Sequence, residues 1–194
     1  VNVVGIALRE VREERGWARR VIAGMLHISE SLVSEWEHGR KRITEVLRTK
    51  LARKMDDGRL YLALGREATG GPCVAPWLDG IDGHRLACAM KTIEELEEAI
   101  AALKSIMPVL MQPPERISEE ARAAIRDTML EIIECTTASE NTCARLARLY
   151  GISLADMWDQ HQAELEGKGY LKKEKSGISK PQVNLSYKSI SSAK

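Results

Sequence analysis

The 194-residue chain is informative first for what it lacks. No apolar run approaches the ~18 residues of a membrane span, which excludes an integral helical membrane protein. The start, Val1, Asn2, Val3, Val4, has neither a basic nor an extended apolar region of the kind that directs secretion, so a cytoplasmic protein is expected. The four cysteines, Cys73, Cys88, Cys135 and Cys143, contain no C-x-x-C and keep no regular spacing. That argues against a disulfide framework or a zinc ribbon and leaves reduced thiols and a metal-free chain as the expectation. H-E-x-x-H, the phosphate-binding G-x-x-x-x-G-K-[ST] and the nucleophile elbow G-x-S-x-G are all missing, and the four histidines are scattered. Neither an enzyme nor a bound cofactor is expected. No segment alternates apolar and polar residues long enough for a strand, so the chain reads as all-α.

What is present is a division of charge. The net charge of +1 conceals a head (residues 1–66) at +5, a middle (67–167) at −10 and a tail (168–194) at +6. Such blocks suggest different partners for different segments, and phosphate attraction makes DNA a natural partner for the head. A +5 excess over a head of this length is also compatible with ordinary surface charge.

Helical spacing organises the head into four short helices. Val4, Leu8 and Val11 define the first, which stops at Gly16; Ile22, Ala23, Met25 and Leu26 define the second. Ser29 is a natural cap for a third helix through Glu37, and Gly39 ends it. Thr44 caps a fourth carrying Leu47, Leu51 and Met55. Residues 65–83 hold five glycines and two prolines, a loop composition, although Trp77 and Leu78 are too apolar for a free linker and are expected to dock. From His84 a long amphipathic helix places Leu86, Met90, Ile93, Leu96, Ile100, Leu103 and Met107 on one stripe. Thr92 and Glu95 suggest a capping box at a local break, and Pro108 ends the helix. That stripe is either intramolecular core or a self-association surface. Ser118 caps a further helix with Ile125, Met129, Ile132 and Ile133 as its buried stripe. Residues 142–166 are helical again, interrupted at Gly151. The Lys/Ser-rich end has too little apolar content to fold.

Ile22 and Ala23, Ile28 and Ser29, Val33 and Ser34, Trp36 and Glu37, then Gly39 and Arg40 follow one another at a recognisable spacing. Together with Leu8, Arg9 and Glu10 upstream, this stretch resembles the helix-turn-helix of the Cro and phage-repressor family, also called the xenobiotic-response-element family of bacterial regulators. The resemblance covers about residues 4–56. Two departures stand out. His27 occupies the turn where the family has Gly, and Ala18 replaces a Ser or Thr cap. Histidine is among the residues that tolerate a left-handed turn.

The resemblance implies a lambda-repressor-like four- or five-helix DNA-binding domain over residues 1–64. Composition and helical spacing add a Gly/Pro-rich linker over 65–83, a helical oligomerisation or effector region over 84–166, and a disordered basic tail over 167–194. Position by position, the resemblance gives phosphate contacts to Arg19, His38, Arg40, Lys41 and Arg42, and base-facing positions to Glu30, Ser31, Ser34 and Glu35. A glutamate in the groove meets phosphate repulsion but can accept from cytosine N4. Alternatively, Glu35 pairs with Arg19 or another basic side chain. Residues 40–54 carry seven basic side chains against Glu45, which suits a clamp on the DNA backbone.

The implied function is a sequence-specific double-stranded DNA-binding transcriptional regulator, a repressor of phage or mobile-element type. It would act on an operator as a homodimer, with a protein effector at the C-terminal helices and no membrane contact. The alternative is a protein-interaction module, an antirepressor or adaptor, whose helix-turn-helix is mainly scaffold. A weaker echo of the motif at residues 146–153 precedes an acidic helix, which disfavours DNA and favours a packing role.

Overall fold

A computed structural model describes residues 2–171, and among these it contains helices and no strand. The head consists of α1 (Val3–Glu14), α2 (Arg19–Leu26), α3 (Glu30–Glu37), α4 (Glu45–Met55) and α5 (Gly58–Thr69). Their apolar faces meet in one core of Val4, Leu8, Val11, Ile22, Val33, Trp36, Leu51, Met55 and Leu60, with Trp17, Met25, Ile28 and Leu32 packed on its rim. The caps follow the local sequence. Ser29 Oγ accepts from the Leu32 amide at 3.2 Å, His27 takes the left-handed conformation at φ 54°, and Ala18 and Thr44 make no side-chain cap bond. Asp57 caps α5 by accepting from the Arg59 and Leu60 amides. That helix runs on to Thr69, five residues into the stretch whose glycines suggested a loop, because Gly65 sits within the helix and Gly70 provides the left-handed stop.

Next come α6 (Arg85–Leu110), a short 3-10 turn (Pro114–Arg116), α7 (Glu119–Tyr150) and α8 (Leu154–Gly167). Three expectations fail in this region. There is no break at Thr92, whose hydroxyl instead donates to the Cys88 carbonyl and meets Thr142 Oγ1 at 2.8 Å. Pro108 lies inside the last turn of α6 rather than ending it. α7 continues unbroken through residues 134–141, with the hydroxyls of Thr136 and Thr137 returned to carbonyls four residues earlier.

The largest correction concerns which face is buried. α6 packs on α7 through Cys88, Glu95, Ala99 and Ile106 against Thr128 and its neighbours. Small residues and threonine hydroxyls let the helices approach closely, so most of the larger side chains, Ile106 excepted, are displaced from the seam. The α6 stripe from Leu86 to Met107 is exposed throughout, with Met90 at 63% and Ile100 at 48%. On α7, Met129, Ile132 and Ile133 are likewise exposed, and Ile125 is half-buried.

The head contacts α7 through α5. Asp57 receives Arg148 Nε at 3.1 Å and Nη2 at 3.0 Å, as well as Arg15 Nη2 at 3.3 Å. Trp77 does dock: its ring lies under the guanidinium groups of Arg59 and Arg145 at 4.6 and 4.3 Å, a cation–π arrangement. The Leu78 amide donates to Asn141 Oδ1 at 2.9 Å. In the second unit, which begins at Trp158, the rest of α8 carries an edge-on contact between Trp158 and His161. Of the tail expected to be disordered over 167–194, Gly167 is the last residue of α8, and the Lys168 and Tyr170 amides donate to the Glu164 and Leu165 carbonyls at 2.9 Å. These first residues are therefore ordered; the rest, from 172 onward, lies outside the described residues.

Candidate nucleic-acid interface

α2 and α3 are joined by a tight turn. The Ile28 amide donates to the Ala23 carbonyl at 3.0 Å, and the left-handed His27 redirects the chain into the Ser29 cap. Val33 and Trp36 anchor the inner side of α3, and Ile22 and Ala23 receive it. The opposite side presents Glu30 and Ser31 exposed, with Ser34 and Glu35 half-exposed. Ser31 Oγ lies 2.9 Å from Ser29 Oγ.

The C-terminal end of α3 is held by contacts that spacing alone does not reveal. Asn2 Nδ2 donates to the carbonyls of Trp36 and Glu37 at 3.0 and 3.3 Å. Gly5 is required where α1 meets this end, since a Cβ there would lie 2.1 Å from the Trp36 carbonyl oxygen. Glu37, whose side chain is fully buried, accepts from Arg12 Nε at 2.6 Å and from Arg19 Nε at 2.7 Å. Burial alone would raise its pKa. The hydrogen bonds from Arg12 and Arg19 outweigh that and hold the carboxyl below its ordinary value. Arg12 also donates to the Trp17 carbonyl, so one buried ion cluster ties α1, α2 and α3 together.

The basic residues separate into two groups. Arg40, Lys41 and Arg42 follow α3 and are all exposed. Their loop is fixed by the Arg40 and Lys41 amides donating to the Glu35 carbonyl, and Lys41 Nζ pairs with Glu35 at 2.9 Å. Glu35 therefore has Lys41, not Arg19, as its partner. His38 folds back, its Nδ1 lying 2.7 Å from the Ser34 carbonyl. Arg19 is half-exposed at the start of α2, with its Nε committed to Glu37. Farther on, Arg48 is drawn toward Glu67 on α5, whereas Lys50 and Lys54 remain exposed.

A second turn repeats the geometry of the first. The Ile152 amide donates to the Ala147 carbonyl at 2.9 Å, Gly151 is left-handed, and Ser153 Oγ accepts from Asp156. This turn packs on the head instead of presenting a groove-reading surface. The Ala155 amide donates to Asp56, and a Cβ at Gly58 would collide with Ala144 at 2.1 Å.

Away from these surfaces, carboxylate oxygens of Glu95, Glu98 and Glu131 lie within 4.8 Å of one another. Burial, followed by the charges of Glu134, Glu98, Glu95 and Asp127, pushes the Glu131 carboxyl above its ordinary value. The sequence reading of a metal-free chain weighed only cysteine and histidine patterns and passed over this group.

Residues 8–56 match the family model described as helix-turn-helix, from Leu8 in α1 through the end of α4. These residues are a helix-turn-helix of the Cro and phage-repressor type. The match supports a DNA-binding transcription regulator of the xenobiotic-response-element type. It covers about a quarter of the chain. No curated protein and no solved structure matches. Within the helix-turn-helix, α3 is the element that family resemblance assigns to the major groove. No helix among the described residues is long and apolar enough to cross a membrane.

Proposed function

We propose that this protein is a sequence-specific regulator that inserts α3 into the major groove of an operator and represses transcription in a phage or mobile-element setting. One observation carries the reading: the exposed side of α3 is followed directly by the exposed cations Arg40, Lys41 and Arg42, on a turn that the buried Glu37 cluster holds in place. In this reading Glu30, Ser31 and Ser34 face base edges, and Arg40 and Arg42 contact phosphates. His38 and Lys41 flank them, and Arg19 reaches the backbone with the guanidinium nitrogens that Glu37 leaves free. Glu35 serves mainly to orient Lys41.

The operator-binding form is a homodimer. At about 100° per residue, the exposed stripes of α6 and α7 both turn about 110° from their shared seam, toward the same side of the antiparallel pair. The occupant that fits is a second copy crossing α6 antiparallel about Ile100. A two-fold there sets Ile93 against Met107 and Leu96 against Leu103 of the other copy. It also brings Glu97, on the outer edge of the stripe, opposite Lys104, so the surface is self-complementary as an isologous interface requires. The same exposed apolar face is what favours the second reading, a protein-interaction role in which an effector protein occupies it.

Fluorescence anisotropy of the full chain on duplex DNA, titrated across salt, tests the DNA reading. The expected result is a log affinity that falls linearly with log salt. In Arg40→Ala the slope should be shallower by about 1. Absence of binding at low salt would overturn the regulator reading in favour of the interaction module.

A further inference from the structure

The side of the α6–α7 pair opposite the apolar stripe carries an arrangement that DNA binding does not use. Glu95 and Glu98 stand one turn apart on α6, and Glu131 faces them from α7. One carboxylate oxygen from each comes within 4.8 Å of the other two. Glu95 is 9% exposed. Its Oε1 accepts from Lys91 Nζ at 2.9 Å, but its Oε2 is buried with no hydrogen-bond partner.

The other buried carboxylates of this chain show what full compensation looks like. Glu37 has two arginines, and Asp57 has two arginines and two backbone amides. The α6–α7 group has one lysine for three carboxylates, and that lysine is shared with Glu94. A buried carboxylate oxygen without a donor, beside two more carboxylates, is unfavourable unless a positive charge joins them.

We propose that Glu95, Glu98 and Glu131 bind one hard divalent cation, Mg2+ or Mn2+, between α6 and α7. The donor set is oxygen only, which selects this class over zinc or copper, for which nitrogen and sulfur donors are preferred. Oxygens on opposite sides of such an ion, each about 2.1 Å from it, are about 4.2 Å apart. A spread of 4.8 Å therefore needs only a small closure of flexible glutamate side chains. Facing helices that contribute paired carboxylates are a recurrent way to build such sites in helical bundles. Three protein ligands leave positions of a six-coordinate ion open. Of the three, Glu95 alone lines a neighbouring cavity of about 430 Å³, together with Lys91, Thr92, Glu134, Thr137 and Asn141, so water has room on its side of the group.

The test is titration of Mn2+ into the full chain, with free ion followed by electron paramagnetic resonance. Saturable binding of one equivalent, competed by excess Mg2+, is expected. Glu98→Gln and Glu131→Gln should each weaken it about 10-fold or more, while Glu94→Gln, which alters only the outer partner of Lys91, should leave it within about 2-fold. Thermal unfolding separates a ligand role from a folding defect. Glu131→Gln should melt higher than the wild-type chain without Mn2+, because repulsion is relieved, yet lose the rise that Mn2+ produces in wild type. Failure of the full chain to bind Mn2+ saturably would overturn the proposal, as would unchanged binding in both Glu98→Gln and Glu131→Gln. DNA binding does not enter the test.

Discussion

The head and the α6–α7 pair treat the same kinds of residue in opposite ways. In the head, large apolar side chains such as Leu8, Ile22, Leu51 and Trp36 are fully buried, and the buried acids Glu37 and Asp57 are surrounded by arginines. In the α6–α7 pair the seam belongs mainly to small and hydroxylated residues with Ile106, the stripe from Leu86 to Met107 faces outward, and three glutamates converge with one lysine paired to Glu95 alone among them. A segment whose contacts are closed internally can present a fixed surface, as α3 does. A segment whose apolar and acidic faces are both left open is where the proposed second copy and the proposed cation would act.

The comparison breaks most visibly if the buried ion cluster is opened. Glu37→Gln leaves Arg12 buried with a neutral partner and should destabilise the head by about 3–5 kcal/mol, measured by urea or thermal unfolding. Arg19 would also lose its orienting contact, so DNA affinity should fall in the fraction that remains folded.

The open apolar face predicts the converse. Ile100→Glu, at the centre of the proposed two-fold, should cost the monomer almost nothing because the side chain is already half-exposed. It should weaken self-association by about 100-fold, since it removes about half of the roughly 1.5–3 kcal/mol of a full apolar burial from each of the two copies and sets like charges together. Sedimentation equilibrium reads this directly. A wild-type chain that remains monomeric at high concentration would reject the homodimer.

A smaller effect sharpens the electrostatic half of the contrast. Because the folded-state pKa of Glu37 lies below its unfolded value, its contribution is fully present above the ordinary carboxylate range. It is lost as pH falls through the lowered pKa. Head stability should therefore decline on acidification in that window, and the decline should be shallower in Glu37→Gln. Circular dichroism melts across pH check it, and identical slopes in the two proteins would remove Glu37 from the account.

Much of the head was legible because its signals are local. A left-handed His27, a Ser29 cap and apolar residues at helical spacing act over a few residues, and the structure reproduces them. Trp77 was too apolar for a free linker, and it is docked. The Glu37 cluster was not legible as such, because Arg12 and Arg19 reach it across 25 and 18 residues and nothing in the spacing of a charge names its partner. The basic stretch after α3 was visible as charge, but the structure alone separates exposed Arg40 and Arg42 from Arg48, which is turned toward Glu67. The break expected near Thr92 failed because Thr hydroxyls that bond back to the helix satisfy locally what looked like a cap.

By itself the sequence determined that the chain is helical, where the helix-turn-helix lies and which residues punctuate it, since period, capping and turn chemistry are properties of neighbouring residues. Only the tertiary structure decided which side of α6 is covered. Periodicity names an apolar face but cannot say whether another element of the same chain will meet it. Here the closer approach offered by Cys88, Ala99 and the threonines won the seam and left the leucine stripe outside.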